Sequence, residues 1–287
     1  MPWKLFSTTP AAPPQKRVQG ILEAVERVRP LPVSVARIVQ AMDDPMVSAE
    51  HIAHLLKLDQ ALAADVLRLS NAASFAGVNR TGSVQDAVVR LGFARIKALV
   101  MAAATSTLLT QRLSGYGLSG HELWNHAVET ASLARFVAGA VRYANLEEAY
   151  VAGLLHDIGK LVLDQYVRGG FALLAEVMRA QKLQLWQAEE QIFGLDHGAV
   201  GGLMATKWQF PIALIEAIRC HHWPSLARTQ PELAAVVNVA DALPPRTSGM
   251  WGQLGAPQVH PEALRLLRLG TRELEQMRAE MPWQPGV

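Results

Sequence analysis

The apolar residues of this chain recur with helical spacing, and this periodicity limits the fold more than any other feature of the sequence. One face of a helix collects positions i, i+3, i+4 and i+7, which is the spacing of Val35, Ile38, Val39 and Met42. No segment shows the period-two alternation of a half-buried strand. Aromatic residues make up only 6% of the chain, which suits close-packed helices better than sheets. The sequence therefore predicts an all-α fold.

Capping and breaking residues divide this pattern into separate helices. Ser48, Asp59 and Ser83 are predicted N-caps in the first half, and residues 43–45 are expected to end the helix before Ser48. Residues 71–82 are predicted to form a loop, after which helices are expected to open at Ser83 and at about Ala94. Later helices are predicted over residues 122–141, 146–166, 171–181, 185–193, 197–208, 211–222, 231–243 and 261–277.

The length of 287 residues favours two compact units or one large one, since a common domain has roughly 150 residues. Glycines and serines between residues 111 and 120 predict a boundary there, because glycine loses the most backbone entropy in a helix. We therefore predict a flexible lead-in over residues 1–14 and two helical subdomains over 15–118 and 119–245. A loop and helix over 246–287 complete the predicted organisation.

Charge and composition favour a protein without a membrane or nucleic-acid surface. The 27 basic and 25 acidic residues nearly cancel, so the totals show no footprint for nucleic acid or an anionic membrane. The longest aliphatic stretch, residues 98–104, is far short of the ~20 residues that cross a bilayer. The N-terminus carries no apolar signal region, and the single cysteine, Cys220, has no partner for an internal disulfide. We expect a cytoplasmic location.

Histidines and aspartates are concentrated in the second half of the chain. His156 and Asp157 are adjacent within residues 153–160, and five further candidates lie on other predicted helices that could converge on this pair: His126, His197, His221, His222 and Asp241. Imidazole nitrogens and carboxylate oxygens together suit Mn, Fe or Zn, and a shared carboxylate suits a two-metal site. A single buried histidine, by contrast, usually only satisfies a hydrogen bond.

These residues resemble two related families. His126, the His156–Asp157 pair and Asp241 follow the order of the H, HD and D motifs of the HD superfamily of metal-dependent phosphohydrolases. The segments 31–32, 44–45, 58–62, 67–72 and 87–92 resemble the N-terminal part of the HDOD output domain of bacterial signalling proteins, and the likeness continues in 196–197, 208–211 and 217–222. It covers about residues 18–243.

The resemblance implies a metal site and names its residues. HDOD domains are helical signalling modules, often without demonstrated catalysis, and they are related to the HD-GYP phosphodiesterases that hydrolyse cyclic di-GMP. By that likeness one divalent ion is held by His126, His156, Asp157 and Asp241, and Asp157 bridges to a second ion held by His197, His221 and His222. Asp157 and Lys160 would be the catalytic residues, with Lys160 near a substrate phosphate or its leaving group.

Some positions have alternative explanations at this stage. Lys160 is equally explained as a cation at a helix end, where the macrodipole favours it. Glu122, one helical turn before His126, could supply a further carboxylate. Cys220 is expected to pack in the core, and the tryptophans near helix ends are expected to pack there, with nucleotide stacking as the alternative: Trp124, Trp208 and Trp223.

Two main functions follow from the resemblance. The His221–His222 doublet is followed by Trp223 and Pro224, whereas the cyclic di-GMP enzymes carry an acidic residue and then a Gly-Tyr-Pro motif. The first function is a signalling module that binds divalent metal and other signalling proteins and acts mainly through binding. The alternative is a metal-dependent phosphohydrolase acting on a nucleotide or cyclic dinucleotide. A scaffold with an empty site is a third reading.

Overall fold

The described part of the computed structural model is built from helices, as the sequence predicts. It comprises residues 14–42, 44–71, 81–167, 171–244 and 255–281, with side chains from Arg17 onward. Within these residues there is no strand, only one antiparallel bridge between Leu113 and Leu118. The helices are α1 (Pro14–Arg27), α2 (Val33–Met42), α3 (Ala49–Lys57), α4 (Gln60–Ser70), α5 (Val84–Leu109), α6 (Glu122–Ala140), α7 (Leu146–Leu155), α8 (Lys160–Val167), α9 (Phe171–Gln181), α10 (Leu185–Phe193), α11 (His197–Lys207), α12 (Ile212–Cys220), a 3₁₀ helix (Pro224–Leu226), α13 (Pro231–Ala242), α14 (Pro261–Leu267) and α15 (Thr271–Glu280).

The three predicted N-caps of the first half are confirmed. The side chains of Ser48, Asp59 and Ser83 each accept a hydrogen bond from the backbone N–H three residues further on, at the starts of α3, α4 and α5. Each such bond satisfies one of the N–H groups that a helix leaves free at its start, and each is worth about 0.5–2 kcal/mol. The caps therefore fix where these three helices begin.

Helices α2, α3 and α4 pack against α5 in the first half. The backbone of α5 breaks at Gly92, whose φ of 75° lies in the left-handed region that glycine adopts without strain. This break agrees with the prediction of one helix from Ser83 and another from about Ala94. The loop of residues 110–121, called the linker loop below, then joins α5 to α6.

The second half is a bundle of helices around α6, α7 and α13. Helix α6 pairs with α7, α13 packs on both of them and on α12, and α11 packs on α8 and α12. The N-terminal helix α1 lies against α8, α10 and α11, and so contacts the second half. The proposed subdomain boundaries stay a prediction.

Two predicted helices are in fact pairs of helices. The helix predicted over 146–166 divides into α7 and α8, with a turn from His156 to Gly159. Gly159 lies so close to α11 that an added Cβ would stand 2.0 Å from the carbonyl oxygen of His197. The spacing of apolar residues within the segment does not predict this tertiary contact. The helix predicted over 261–277 breaks between α14 and α15, where Arg268 has a left-handed φ of 54°.

Three further predictions concern membrane-spanning segments, the loops and Cys220. None of the described helices is both long enough and apolar enough to cross a bilayer. The predicted lead-in, apart from Pro14, lies outside the described residues, as do Asp43, residues 72–80 of the predicted loop and residues 245–254. Cys220 is buried, as predicted.

Candidate metal centre

The seven predicted ligands lie together in the second half. His126 comes from α6, His156 and Asp157 from the turn after α7, and His197 is the first residue of α11. His221 and His222 directly follow α12, and Asp241 lies near the end of α13. All of these side chains are buried except that of His222, which is half-buried. Residues far apart in sequence therefore share one interior location.

Four of these residues form what we call the first cluster: His126, His156, Asp157 and Asp241. Donor atoms of the two histidines and Asp157 lie within 4.8 Å of one another. The Nε2 atom of His126 is 3.1 Å from Nε2 of His156, 3.2 Å from Oδ2 of Asp157 and 3.3 Å from Oδ1 of Asp241. Two nitrogens and two carboxylates thus face a common point.

The remaining three residues form the second cluster: His197, His221 and His222. Their ring nitrogens also lie within 4.8 Å of one another. Nε2 of His197 is 2.8 Å from Nε2 of His222 and 3.1 Å from Oδ1 of Asp157. Since the first cluster contacts Oδ2 of the same carboxylate, Asp157 stands between the two clusters with one oxygen toward each.

Hydrogen bonds on the far side of the rings orient three of the imidazoles. Nδ1 of His156 donates to the carbonyl of Gly153, and Nδ1 of His221 donates to the carbonyl of Ile218, both at 2.7 Å. A carbonyl only accepts, so these nitrogens carry hydrogens, and Nε2 of each ring faces the clusters. In His197 the Nδ1 atom lies 2.5 Å from Oε2 of Glu189.

The donors fit a divalent cation. Nε2 of His221 is buried and has no hydrogen-bond partner among the described residues. A buried lone pair without a partner costs free energy, which a bound cation would recover. Three carboxyl groups are buried at the clusters, those of Asp157, Asp241 and Glu189, and among the described residues only one ammonium group is buried beside them, that of Lys160. Nitrogen and oxygen donors of this kind suit Mn, Fe or Zn.

The electrostatics favour ligand forms of Asp157 and His221. Burial raises the pKa of Asp157, but the charges of His156 and Lys160, with hydrogen bonds from neighbouring histidines, outweigh it and hold this pKa well below its usual value. Burial, together with the neighbouring His156 and His197, lowers the pKa of His221 to about 3. At neutral pH the carboxylate is therefore ionised and the imidazole is neutral, as metal binding requires.

His197 differs because it contacts a carboxylate on each side of its ring. Burial lowers its pKa, but Glu189 and Asp157 outweigh burial and raise it to about 9. Burial and the neighbouring His221 and His197 lower the pKa of His222 well below its usual value. Without an ion, a proton on His197 supplies positive charge that a bound cation would replace.

Lys160 and Glu122 take positions that the sequence left open. Lys160 begins α8, where the macrodipole disfavours a cation, so the helix-end explanation is wrong. Its Nζ atom lies 2.6 Å from Oδ2 of Asp157, and the side chain is only 2% exposed. Glu122 accepts a hydrogen bond from the backbone N–H of Ser119 at the start of its own helix, and it belongs to neither cluster.

Two residues of the site carry no motif and were not predicted. Glu189 is fully buried behind His197, and the ring of Trp186 stacks on that of His222 with centroids 5.5 Å apart. The sequence does contain an indication that Glu189 is buried, because this residue shares the helical spacing of Leu185, Ala188 and Phe193. A charged residue at a core position indicates a buried polar partner. Trp186 leaves no such signal.

The space that reaches the clusters is small. A cavity of about 20 Å³ is lined by Asp157, Lys160, His197, His222 and Asp241, and on its other side by residues 184–186, Gly255 and Pro257. Such a volume holds roughly one water molecule.

The three tryptophans singled out from the sequence lie in different settings. Trp208 is buried and donates a hydrogen bond to the carbonyl of Arg29, which agrees with the packing expectation. Trp223 is 44% exposed and contacts His260 and Trp186, near the second cluster. Trp124 is half-buried and packs against the core.

Comparison with known proteins agrees with the fold. The sequence model of the family described as "HDOD domain" matches residues 28–224. An uncharacterized protein of Treponema pallidum (strain Nichols) is 26% identical over 208 residues, which are 72% of this chain and 40% of that protein. The chain thus spans less than half the length of this relative.

Two solved structures share the fold along their lengths. A crystal structure of an HDOD domain protein with unknown function from Geobacter sulfurreducens is 25% identical, with a TM-score of 0.65 over 92% of this chain and 98% of that one. A structure named "Putative phosphohydrolase" from Shewanella amazonensis SB2B is 24% identical, with a TM-score of 0.69 over 91% and 94% of the two chains. The second likeness concerns the fold alone.

Proposed function

Because this chain belongs to the HDOD domain family, we propose that it is a bacterial signal-transduction module that binds divalent metal and acts mainly through binding rather than catalysis. The proposed site holds two ions. The first cluster (His126, His156, Asp157 and Asp241) holds one ion, and the second cluster (His197, His221 and His222) holds the other. Asp157 bridges the two.

One observation carries the proposal. The two oxygens of Asp157 face different sets of histidine nitrogens, at 3.2 Å from Nε2 of His126 and 3.1 Å from Nε2 of His197. A carboxylate between two groups of imidazole nitrogens is an arrangement by which proteins hold two cations side by side. The buried, unpartnered Nε2 of His221 supports the same reading.

The small cavity supports binding over catalysis. Pockets for small molecules usually measure about 300–1,000 Å³, whereas the space beside the clusters measures about 20 Å³. The residues after the histidine doublet, Trp223 and Pro224, also lack the acidic and Gly-Tyr-Pro pattern of the cyclic di-GMP phosphodiesterases. Other signalling proteins are the proposed partners, and the proposed location is the cytoplasm.

A metal-dependent phosphohydrolase is the second candidate, and Lys160 favours it. Its ammonium group lines the cavity beside Asp157, where it would bind a substrate phosphate or protonate a leaving group. When bound, a divalent ion lowers the pKa of a water molecule to about 7 and so provides hydroxide for attack on a phosphoester. A nucleotide or cyclic dinucleotide is the substrate class for this candidate.

Metal content and turnover separate the two candidates. The wild-type protein, Asp157→Asn and the control Asp59→Asn, which changes a carboxylate at the start of α4, are loaded with Mn²⁺ and dialysed. Metal is then measured by mass spectrometry, and hydrolysis of cyclic di-GMP and of bis(p-nitrophenyl) phosphate is assayed. We expect about two ions per chain in the wild type and the control, under one in Asp157→Asn, and no turnover in any of them.

Other results would change the conclusion. Turnover in the wild type and in Asp59→Asn, lost in Asp157→Asn, would replace the binding function with the phosphohydrolase. A wild-type protein that retains no Mn²⁺, Fe²⁺ or Zn²⁺ would contradict both candidates.

A further inference from the structure

The linker loop carries a tyrosine into the interior of the second half. Leu113 and Leu118 exchange two backbone hydrogen bonds of 3.1 and 2.9 Å, and the turn between them closes through Gly117, whose φ is 71°. Tyr116 lies in this turn with only 1% of its surface exposed. The loop is therefore held by a large buried side chain.

A carboxylate of α8 fixes the backbone of this turn. Oδ1 of Asp164 accepts hydrogen bonds from the N–H groups of Gly115, at 2.7 Å, and Tyr116, at 3.3 Å. The turn is thus bound to the second half by main chain as well as by side chain, which sets where the Tyr116 hydroxyl points.

That hydroxyl reaches the second cluster through one residue. Oη of Tyr116 donates to Oε1 of Glu189 at 2.7 Å. The other oxygen of Glu189, Oε2, accepts from Nδ1 of His197 at 2.5 Å and from the backbone N–H of His197 at 2.9 Å. Glu189 is fully buried, so the three donors replace the water that its carboxylate would otherwise bind.

Resting on the metal binding proposed above, we propose that Glu189 is a positioning residue that holds His197 for the second ion and, through Tyr116, couples metal occupancy to the linker loop. The carboxylate keeps a hydrogen on Nδ1 of His197 and fixes the ring, so that Nε2 faces the second cluster. Groups that orient a ligand in this way typically change metal affinity by about 10–100-fold.

The coupling follows from what the linker loop connects. On one side it continues into α5, against which α2, α3 and α4 pack, and on the other into α6, which carries His126. An ion that holds His197 also holds Glu189 and therefore Tyr116. By thermodynamic linkage, ordering of the linker loop must strengthen ion binding by the same free energy by which ion binding stabilises the ordered loop. Metal occupancy thus has a physical route to the first half.

The first test concerns Glu189. Dissociation constants for Mn²⁺ are measured by equilibrium dialysis for the wild type, Glu189→Gln and the control Glu216→Gln. Glu216 is also buried but accepts hydrogen bonds from the backbone N–H groups of Arg228 and Thr229 rather than from a cluster histidine. We expect binding that is about 10–100-fold weaker in Glu189→Gln and close to the wild-type value in Glu216→Gln.

The outcomes separate this inference from the proposed function. Equal binding by wild type and folded Glu189→Gln overturns the positioning role and leaves the metal-binding function intact. A wild type that binds no ion overturns the proposed function and the inference with it.

The second test concerns Tyr116 and stands even if Glu189→Gln fails to fold. Hydrogen exchange of the amides of residues 113–118 is followed with Mn²⁺ and with chelator in the wild type, Tyr116→Phe and the control Tyr143→Phe. Tyr143 also donates to side chains, Glu148 and Gln230, and contacts neither cluster. We expect Mn²⁺ to slow this exchange in the wild type and in Tyr143→Phe and to leave it unchanged in Tyr116→Phe. Slowing of the same size in Tyr116→Phe overturns the coupling.

Discussion

Replacing Gly159 by alanine should separate α8 from α11 and disturb the metal centre. Gly159 ends the turn that carries His156 and Asp157, and it faces the first turn of α11. A Cβ at this position would lie 2.0 Å from the carbonyl oxygen of His197 and 2.6 Å from the backbone nitrogen of Gly201. Both atoms belong to the backbone, so no side-chain rotation relieves the contact.

The size of the effect follows from these distances. Ordinary contact begins at 3.4 Å, so the backbone at His197 must move by about 1.4 Å relative to the turn. Added methyl groups in packed interiors typically cost about 1–3 kcal/mol, and a rigid neighbour places this one at the upper end. In a chain of this size, 3 kcal/mol lowers the melting temperature by roughly 6–12 °C. Metal–ligand distances tolerate only about 0.2 Å, so the shift should also weaken ion binding by at least about tenfold.

Urea unfolding with chelator present measures the packing effect, and Mn²⁺ dialysis measures the effect on binding. Gly139→Ala is the matched control, because an added Cβ near the end of α6 meets no atom within 4 Å. It should be neutral, or stabilising by up to about 1 kcal/mol, since alanine restricts the unfolded chain. An unfolding midpoint for Gly159→Ala equal to those of wild type and Gly139→Ala would refute the reasoning.

Two further predictions concern other parts of the chain. Hydrogen bonds from the backbone of Leu62 and from Ser34 lower the pKa of Asp59 below its usual value of 3.8. The ionised carboxylate therefore stabilises the folded protein above pH 3.8, and this stabilisation is lost as the pH falls through the lowered pKa. Asp59→Ala should therefore unfold about 1 kcal/mol more easily at pH 7, and its difference from wild type in urea midpoint should shrink below pH 3.8; a constant difference would contradict this. Trp186 stacks on His222, so Mn²⁺ should quench its fluorescence, and the quenching should be weaker in Trp186→Phe than in the wild type and unchanged in Trp208→Phe; equal quenching in Trp186→Phe and the wild type would contradict this.

The sequence predicted those features of the fold that depend on nearby residues. Ser48, Asp59 and Ser83 were identifiable as caps because their hydrogen bonds reach only three residues along the chain. The breaks after Leu155 and Leu267 were not identifiable in this way. The break after Leu155 accompanies the close approach of α11 to Gly159. The apolar periodicity of one segment cannot predict a contact with a helix that lies later in the sequence.

The residues of the candidate site likewise include some that the sequence predicts and some that it does not. The ligand set was predicted because its histidines and aspartates stand in motifs of recognisable order, and the structure brings all seven together, although their role as ligands stays a prediction. Glu189 and Trp186 stand in no motif, and their roles depend on contacts with His197 and His222. Glu122 was considered for its helical spacing from His126, but its side chain accepts a hydrogen bond from the backbone N–H of Ser119 and belongs to neither cluster.

The distribution of the donors determines what an ion can stabilise. They come from α6, the turn after α7, the start of α11, the end of α12 and α13, and the described part of the first half supplies none of them. Unfolding any one of these segments would remove a proposed ligand, so the free energy of binding an ion would add to the stability of the second half as a unit. A bound ion would stabilise the first half only through contacts that cross between the halves. Tyr116 is a contact of this kind, because its hydroxyl leads through Glu189 by hydrogen bonds to His197, and this is why we propose that metal occupancy is coupled to the linker loop.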